Sequence, residues 1–516
     1  MRRFLYFVLV VLFIVNPSIA QEKRLDARIK IDKERTIGEI HPHIYGNFAE
    51  HLGRCIYGGI YDEGSALSDS QGFRKDVLEA AKGLNVTILR YPGGNFVSGY
   101  HWEDGIGPKN QRKPRTDLAW DVLEPNTFGI DEFVDFCRAL GTEPYVAVNM
   151  GTGTLDEARN WVEYCNVKDG PYYAELRKKY GHPEPHDVKY WSLGNEMDGS
   201  WQMGHKNAED YGKFALEAAK LMKWTSPDIK LIAAGSSDYG PNANPHAWNR
   251  TVLEYLKNYI DYIAVHRYVG NRNDDYYAFM ATPHDIEDRT RILEGQIKAA
   301  LSTTRRQTPI FIAWDEYNVW YRARGRALTT GRNALEEIYN LEDALVIAGF
   351  LNAFIRHAHI VKMANMAQLV NVIAPLFTSK TDLFRQTIYY PLALFANNSF
   401  GTSLDVFVDC ARYDTKTRKD VPYLDVSTAY NEGEVVINVV NRHLTESIDA
   451  EVICQEGEFS GSFVVFEVNG PDIKAENTFG REPVKSVEKP SFRASGARFR
   501  YRFPPHSFTM IKGRIE

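Results

Sequence analysis

The chain has 516 residues, 44% apolar and 13% aromatic, enough to bury the cores of a large barrel and an accessory module, and this composition excludes a disordered protein. Its 61 basic and 67 acidic residues leave a formal net charge of -6, too small at this length to argue for nucleic acid or an anionic membrane as a partner. Five cysteines, Cys55, Cys137, Cys165, Cys410 and Cys454, are too few for a disulfide scaffold and lack metal-ligand spacing, so they read as small buried hydrophobes.

Residues 1–20 read as a signal peptide: Arg2 and Arg3 precede an apolar run that ends at Ser18-Ile19-Ala20, a small-x-small cleavage site. The run is shorter than the ~18–20 residues that span a bilayer. An exported protein is therefore expected, periplasmic or extracellular, with no membrane span after cleavage. Residues 21–40 contain an alternating stretch, 27–32, which predicts a strand that joins a later β module.

From residue 41 to 385 short apolar segments alternate with longer ones of helical spacing. Strands are predicted over 44–49, 87–91, 144–149, 190–194, 230–234, 262–265, 310–314 and 363–369. Helices are predicted between them, for example over 73–83, 130–140, 211–222, 251–259, 286–301 and 335–356. Eight such repeats predict an α/β fold, a (β/α)8 TIM barrel. An open doubly wound sheet is the weaker choice, because no glycine-rich phosphate loop follows a strand. Residues 386–516 change period to short Val-, Tyr-, Phe- and Thr-rich segments between turns, which predicts a C-terminal all-β sandwich, jelly-roll-like.

Two predicted strands run straight into a carboxylate: Trp191-Ser192-Leu193-Gly194-Asn195-Glu196 and Ile312-Ala313-Trp314-Asp315-Glu316-Tyr317. In a barrel the strand ends build the active site, and two carboxylates across a cleft are what glycosidic bond cleavage requires. Asp315 neighbours Glu316 on a strand, so alternation predicts that it points the other way, into the wall; Asp198 is expected to brace its loop. The histidine pairs His41/His43 and His357/His359 lack carboxylate company, and neither a metal nor an organic cofactor is implied.

Several motifs then match one family in order and spacing: Gly46-Asn47-Phe48-Ala49-Glu50-His51, Leu89-Arg90-Tyr91-Pro92-Gly93-Gly94-Asn95-Phe96, Tyr100-His101-Trp102-Glu103-Asp104-Gly105-Ile106-Gly107-Pro108, Gly194-Asn195-Glu196-Met197-Asp198-Gly199, His266-Arg267-Tyr268 and Trp314-Asp315-Glu316-Tyr317-Asn318. The chain resembles glycoside hydrolase family 51, the α-L-arabinofuranosidase type, over the barrel and into the β module. The resemblance implies a retaining exo-acting enzyme with Glu196 as general acid/base and Glu316 as nucleophile. Arg90 is to hold Glu316 as an anion, Tyr268 and His266 to orient it, and Glu50, Asn95, Asn195 and Gln368 to bind sugar hydroxyls. Among Trp102, Trp120, Trp201 and Trp320, Trp320 is the favoured stacking platform. The implied partner is an arabinose-containing polysaccharide or oligosaccharide, and the implied assembly a homo-oligomer, a hexamer. The alternatives are an endo-β-1,4-glucanase or another retaining glycosidase on this scaffold, or a non-catalytic carbohydrate-binding protein.

Overall fold

The computed structural model describes residues 25–322 and 329–516. Eight parallel strands, β1 (Gly46–Phe48), β2 (Ile88–Tyr91), β3 (Glu143–Ala147), β4 (Tyr190–Leu193), β5 (Lys230–Ala234), β6 (Tyr262–Val269), β7 (Phe311–Val319) and β8 (Val361–Ala367), close in chain order into a barrel. They are buried almost end to end, as strands must be when side chains fill the interior and helices cover the outside. That outer layer is α1 (Lys75–Leu84), α2 (Ile130–Leu140), α3 (Leu155–Asn166), α4 (Ala208–Thr225), α5 (Pro245–Leu256), α6 (Pro283–Leu301), α7 (Leu341–Arg356) and α8 (Tyr389–Asn398).

Helix ends follow local chemistry. Thr154 accepts the Glu157 amide and Glu157 reaches back to the Thr154 amide, a capping box that starts α3. Gly141, at φ 79°, stops α2 in the left-handed conformation that suits glycine. Two predicted boundaries differ. The helix predicted from residue 335 begins at Leu341, because Asn340 and Asp343 form the capping box and Leu335 itself sits at φ 55°. Residues 389–398, expected to be β, form α8: its Tyr and Phe content favours strand, but its buried positions 389, 392, 395 and 396 repeat as a helix does.

Beyond the barrel, a seven-stranded sheet and a four-stranded sheet face each other across a core that includes Ile29, Val452 and Phe503 from one and Val426, Ile437 and Ile511 from the other. The segment Leu25–Ile31 lies inside the smaller sheet, parallel to Ile448–Cys454. Helix α7, buried at every position from Leu341 to Ile355, is the joint between the two parts. Phe354 packs on Tyr317 of β7 at 4.9 Å, while Asn352 bonds to the Asp425 carbonyl and Ser427 of the sandwich. Arg356 at its end pairs with Glu287 of α6 (2.6 Å) and Asp425 (2.7 Å), and Asp425 also meets Arg442 (3.0 Å). All five cysteines are free, and Cys410 alone is only half-buried.

Candidate active site

Inward positions of the strands converge at the C-terminal mouth. Alternation along β2 and β6 brings Arg90, His266 and Tyr268 inward. On β7 the alternation breaks: Ala313 pairs with Ala264 but Glu316 pairs with His266, so Trp314 and Asp315 together oppose one residue. This is a β-bulge, and it turns two consecutive carboxylates to the same side. Trp314 faces the helices, its indole on Thr290, whereas Asp315 is not in the wall as alternation predicted; it is fully buried inside the barrel directly beside Glu316. After β4, Gly194 takes φ 90° and Glu196 φ 45°. A Cβ on Gly194 would come within 2.8 Å of Met150. The left-handed backbone of Glu196 costs ~1–3 kcal/mol, and it is held by the Gly199 amide on its carbonyl and by Asp198, which accepts the Ser237 and Asp238 amides and the Ser237 hydroxyl.

The resulting cluster has a definite wiring. Arg90 donates to Glu316 Oε1 (2.6 Å) and Asn195 Oδ1 (2.6 Å), lies 3.3 Å from Asp315 Oδ2, and stacks over Phe48. Tyr268 donates to Glu316 Oε2 at 2.8 Å. His266 Nδ1 is 2.8 Å from Glu196 Oε1 and 3.6 Å from Glu316, while its Nε2 is 3.1 Å from Asp315 Oδ1, which with Tyr145 makes a buried backing. The ligand-type atoms of Glu196, His266 and Glu316 all lie within 4.8 Å of one another. Trp201, half exposed on the loop after Glu196, donates its indole N–H to Glu196 Oε2.

Electrostatics separate the carboxylates. Burial, together with the charge of Glu316, raises Glu196 above the usual carboxylate range against the pull of the His266 hydrogen bond. Burial lowers His266, but the charge of Glu316 and the bonds to Asp315 and Glu196 more than offset it and raise it well above an ordinary imidazole. Each ring nitrogen of His266 thus faces a carboxylate at hydrogen-bonding distance, Nε2 toward Asp315 and Nδ1 toward Glu196. Glu50, also buried, is pushed up to about 8 by desolvation and then by Glu316, although the Phe96 amide and the Trp120 indole both donate to it.

Of the other residues named from sequence, Gln368 forms a two-way clasp with Glu50, donating to Oε2 and accepting the Glu50 amide. Asn95 is half-buried at the first turn after Gly94, where a Cβ would strike Glu50 at 2.5 Å, and its side chain makes no hydrogen bond among the described residues. Trp320 packs edge-on against Tyr268 at 5.2 Å. Trp102 is core, stacked on Trp161, and Trp120 and Trp201 serve as hydrogen-bond donors to the two raised glutamates. Sequence reasoning assigned no role to Asp315 or Tyr145 here; the bulge that recruits Asp315 leaves no local signature.

The family model for the "Alpha-L-arabinofuranosidase 1 domain" matches residues 80–284, and that for the "Alpha-L-arabinofuranosidase C-terminal domain" matches residues 315–507. The chain is 44% identical to an intracellular exo-α-(1→5)-L-arabinofuranosidase of Halalkalibacterium halodurans, covering 89% of this chain and 93% of that protein. It is 40% identical to intracellular exo-α-(1→5)-L-arabinofuranosidase 1 of Bacillus subtilis, covering 94% and 98%. The solved family 51 α-L-arabinofuranosidase of Thermotoga petrophila superposes with a TM-score of 0.87 at 41% identity, over 94% of this chain and 100% of that one. The chain belongs to the α-L-arabinofuranosidases of glycoside hydrolase family 51. It is thus a glycoside hydrolase, with the barrel and β-sandwich of that family. The same relatives overturn the expectation of export, since both bacterial proteins are named intracellular. A basic pair before a short apolar run is a compositional signal that leaves no mark on a fold. Residues 1–20 lie outside the described residues; within these, no helix is long and apolar enough to cross a membrane.

Proposed function

We propose that this enzyme removes terminal non-reducing α-L-arabinofuranosyl residues from arabinan, arabinoxylan or their oligosaccharides by double displacement, with Glu316 as nucleophile and Glu196 as acid/base. The observation that carries this reading is the approach of Glu196 and Glu316 to within 4.8 Å at their nearest oxygens, which suits the short carboxylate separation of retaining enzymes, ~5–5.5 Å, and leaves no room for the water of an inverting one. Arg90 and Tyr268 each hold one oxygen of Glu316, so the carboxylate is aimed without a rotamer search. It attacks the anomeric carbon as the glycosidic C–O bond breaks, and the leaving oxygen takes a proton from Glu196.

Esterification then removes the negative charge of Glu316, one of the causes that raise Glu196. Glu196 now gives up protons more readily and takes one from the incoming water, whose oxygen attacks the anomeric carbon and returns Glu316 as a carboxylate. Asn195, fixed by Arg90, Asn95 with its uncommitted amide, and Glu50, largely neutral below about pH 8, supply donors to the sugar hydroxyls, and Gln368 fixes Glu50. Trp320 covers the rim beside Tyr268. The exo preference is supported by the relatives' names, and the two wired carboxylates argue against a non-catalytic sugar binder. The hexamer implied by the family resemblance is the proposed assembly, which sedimentation measures.

Purified chain assayed on 4-nitrophenyl α-L-arabinofuranoside, β-D-xyloside and β-D-glucoside, beside Glu316→Ala, tests the proposal. Release from the arabinofuranoside alone, lost in the variant, is expected; equal release from the glucoside contradicts it.

A further inference from the structure

A second cluster of ligating side chains lies among the segments outside the barrel strands, with no member in the Glu196, His266 and Glu316 cluster. The segment His182-Pro183-Glu184-Pro185-His186 places two histidines four residues apart in a stretch stiffened by two prolines, whose fixed φ limits the loop's freedom. Both rings come against Asp131 in the first turn of α2: His186 Nε2 is 2.8 Å from Oδ1 and His182 Nε2 is 3.9 Å from Oδ2. One ligand atom from each of the three residues lies within 4.8 Å of the others. An ion at ~2.0–2.2 Å from imidazole nitrogens and a carboxylate oxygen would replace the direct His186–Asp131 contact after a small shift of the side chains.

The surroundings are those of a built site. Tyr164 of α3 donates its hydroxyl to both oxygens of Asp131, the kind of outer partner that fixes a ligating carboxylate. Two arginines pin the loop backbone: Arg177 donates to the His182 carbonyl and Arg138 to the His186 carbonyl. Asp131 and His186 are buried, while the His182 side chain is 26% exposed. Beside His182 opens a cavity of about 340 Å³, lined also by Asp131, Tyr180, Lys179, Glu132 and Arg112. It gives an ion a path in and room for water at the open coordination positions. Arg112 in that cavity is already paired with Glu132 at 2.7 Å.

We propose that Asp131, His182 and His186 form a divalent transition-metal site of the zinc-binding class, which ties the 182–186 loop to α2. Three protein ligands leave the coordination shell open to water from the cavity. The role is structural, since none of the three residues touches the sugar-cleaving cluster.

The test is calorimetric titration of the chelator-stripped full chain with Zn²⁺, for the wild type, His182→Ala and Glu316→Gln, with thermal midpoints recorded with and without the ion. The Glu316 variant is included because Glu196, His266 and Glu316 form a second group that could take up the ion. One Zn²⁺ per chain is expected in the wild type and in Glu316→Gln, weakened at least tenfold in His182→Ala. The ion should raise the midpoint of the wild type and of Glu316→Gln only. His182→Ala, being part-exposed, should melt like the wild type without Zn²⁺ and keep full glycosidase activity. Absence of stoichiometric binding to the wild type, or binding lost in Glu316→Gln and retained in His182→Ala, would overturn the proposal.

Discussion

Two buried charge clusters in this molecule use the same side chains to opposite ends. At the junction of barrel and sandwich, two carboxylates, Glu287 and Asp425, meet two guanidinium groups, Arg356 and Arg442. Burial raises Glu287, yet Arg356 and His284 hold it far below the usual carboxylate range. At the barrel mouth, Glu196, Asp315 and Glu316 crowd around Arg90 and His266, and Glu50 feels the charge of Glu316. There the cations do not suffice, and Glu50 and Glu196 are raised instead. A balanced node fixes structure, whereas an unbalanced one stores protons that chemistry can use.

That contrast can be broken from either side. The largest effect is expected from Glu316→Ala, which removes the proposed attacking group: kcat on an aryl arabinofuranoside should fall by on the order of 10⁴ or more, with thermal stability nearly unchanged. Next, Arg356→Met leaves the largely buried Asp425 and Glu287 short of a cation and should destabilise the fold by about 3–5 kcal/mol. Denaturant unfolding measures this, and kcat/KM below the transition should remain that of the wild type.

Asp315→Asn touches the unbalanced cluster one step from the sugar. It removes a negative charge that favours the proton on His266, so the limb of the pH–kcat/KM profile set by His266 should move to lower pH. Activity at the optimum should drop roughly 10–100-fold, as for other supporting partners; a loss of activity with an unmoved limb would show a merely steric role. The smallest effect is expected from Glu50→Gln. Glu50 is raised in the folded protein from 4.5 to about 8. Its stabilising contribution is therefore complete below pH 4.5 and lost as pH rises toward 8. Across that window the wild type should lose thermal midpoint relative to Glu50→Gln; parallel curves would contradict the raised value.

Much of this was legible in the chain. The eightfold alternation gave the barrel because buried parallel strands must read as continuous apolar runs, and Glu196 and Glu316 stood out because each ends such a run. What stayed hidden depends on partners distant in sequence. The bulge opposite Val265 arises from pairing between β6 and β7, and nothing local in Trp314-Asp315-Glu316 announces that both carboxylates turn inward. Trp201, a stacking candidate by sequence, instead commits its indole N–H to Glu196. The sequence reading did not single out His182 and His186, whose carboxylate partner Asp131 lies 51 positions before His182. Residues 389–398 carried β propensity and helical period at once, and packing against α7 and α1 decided for the helix.

The most direct trial of Glu316 as the covalent nucleophile is peptide mass mapping of Glu196→Ala, acid-quenched during turnover of an aryl α-L-arabinofuranoside whose good leaving group departs without a proton. Without its base the intermediate should accumulate, and the peptide that contains Glu316 should carry one added pentosyl residue. A pentosyl group on another carboxylate, or none while the product forms with inverted configuration, would contradict double displacement at this site.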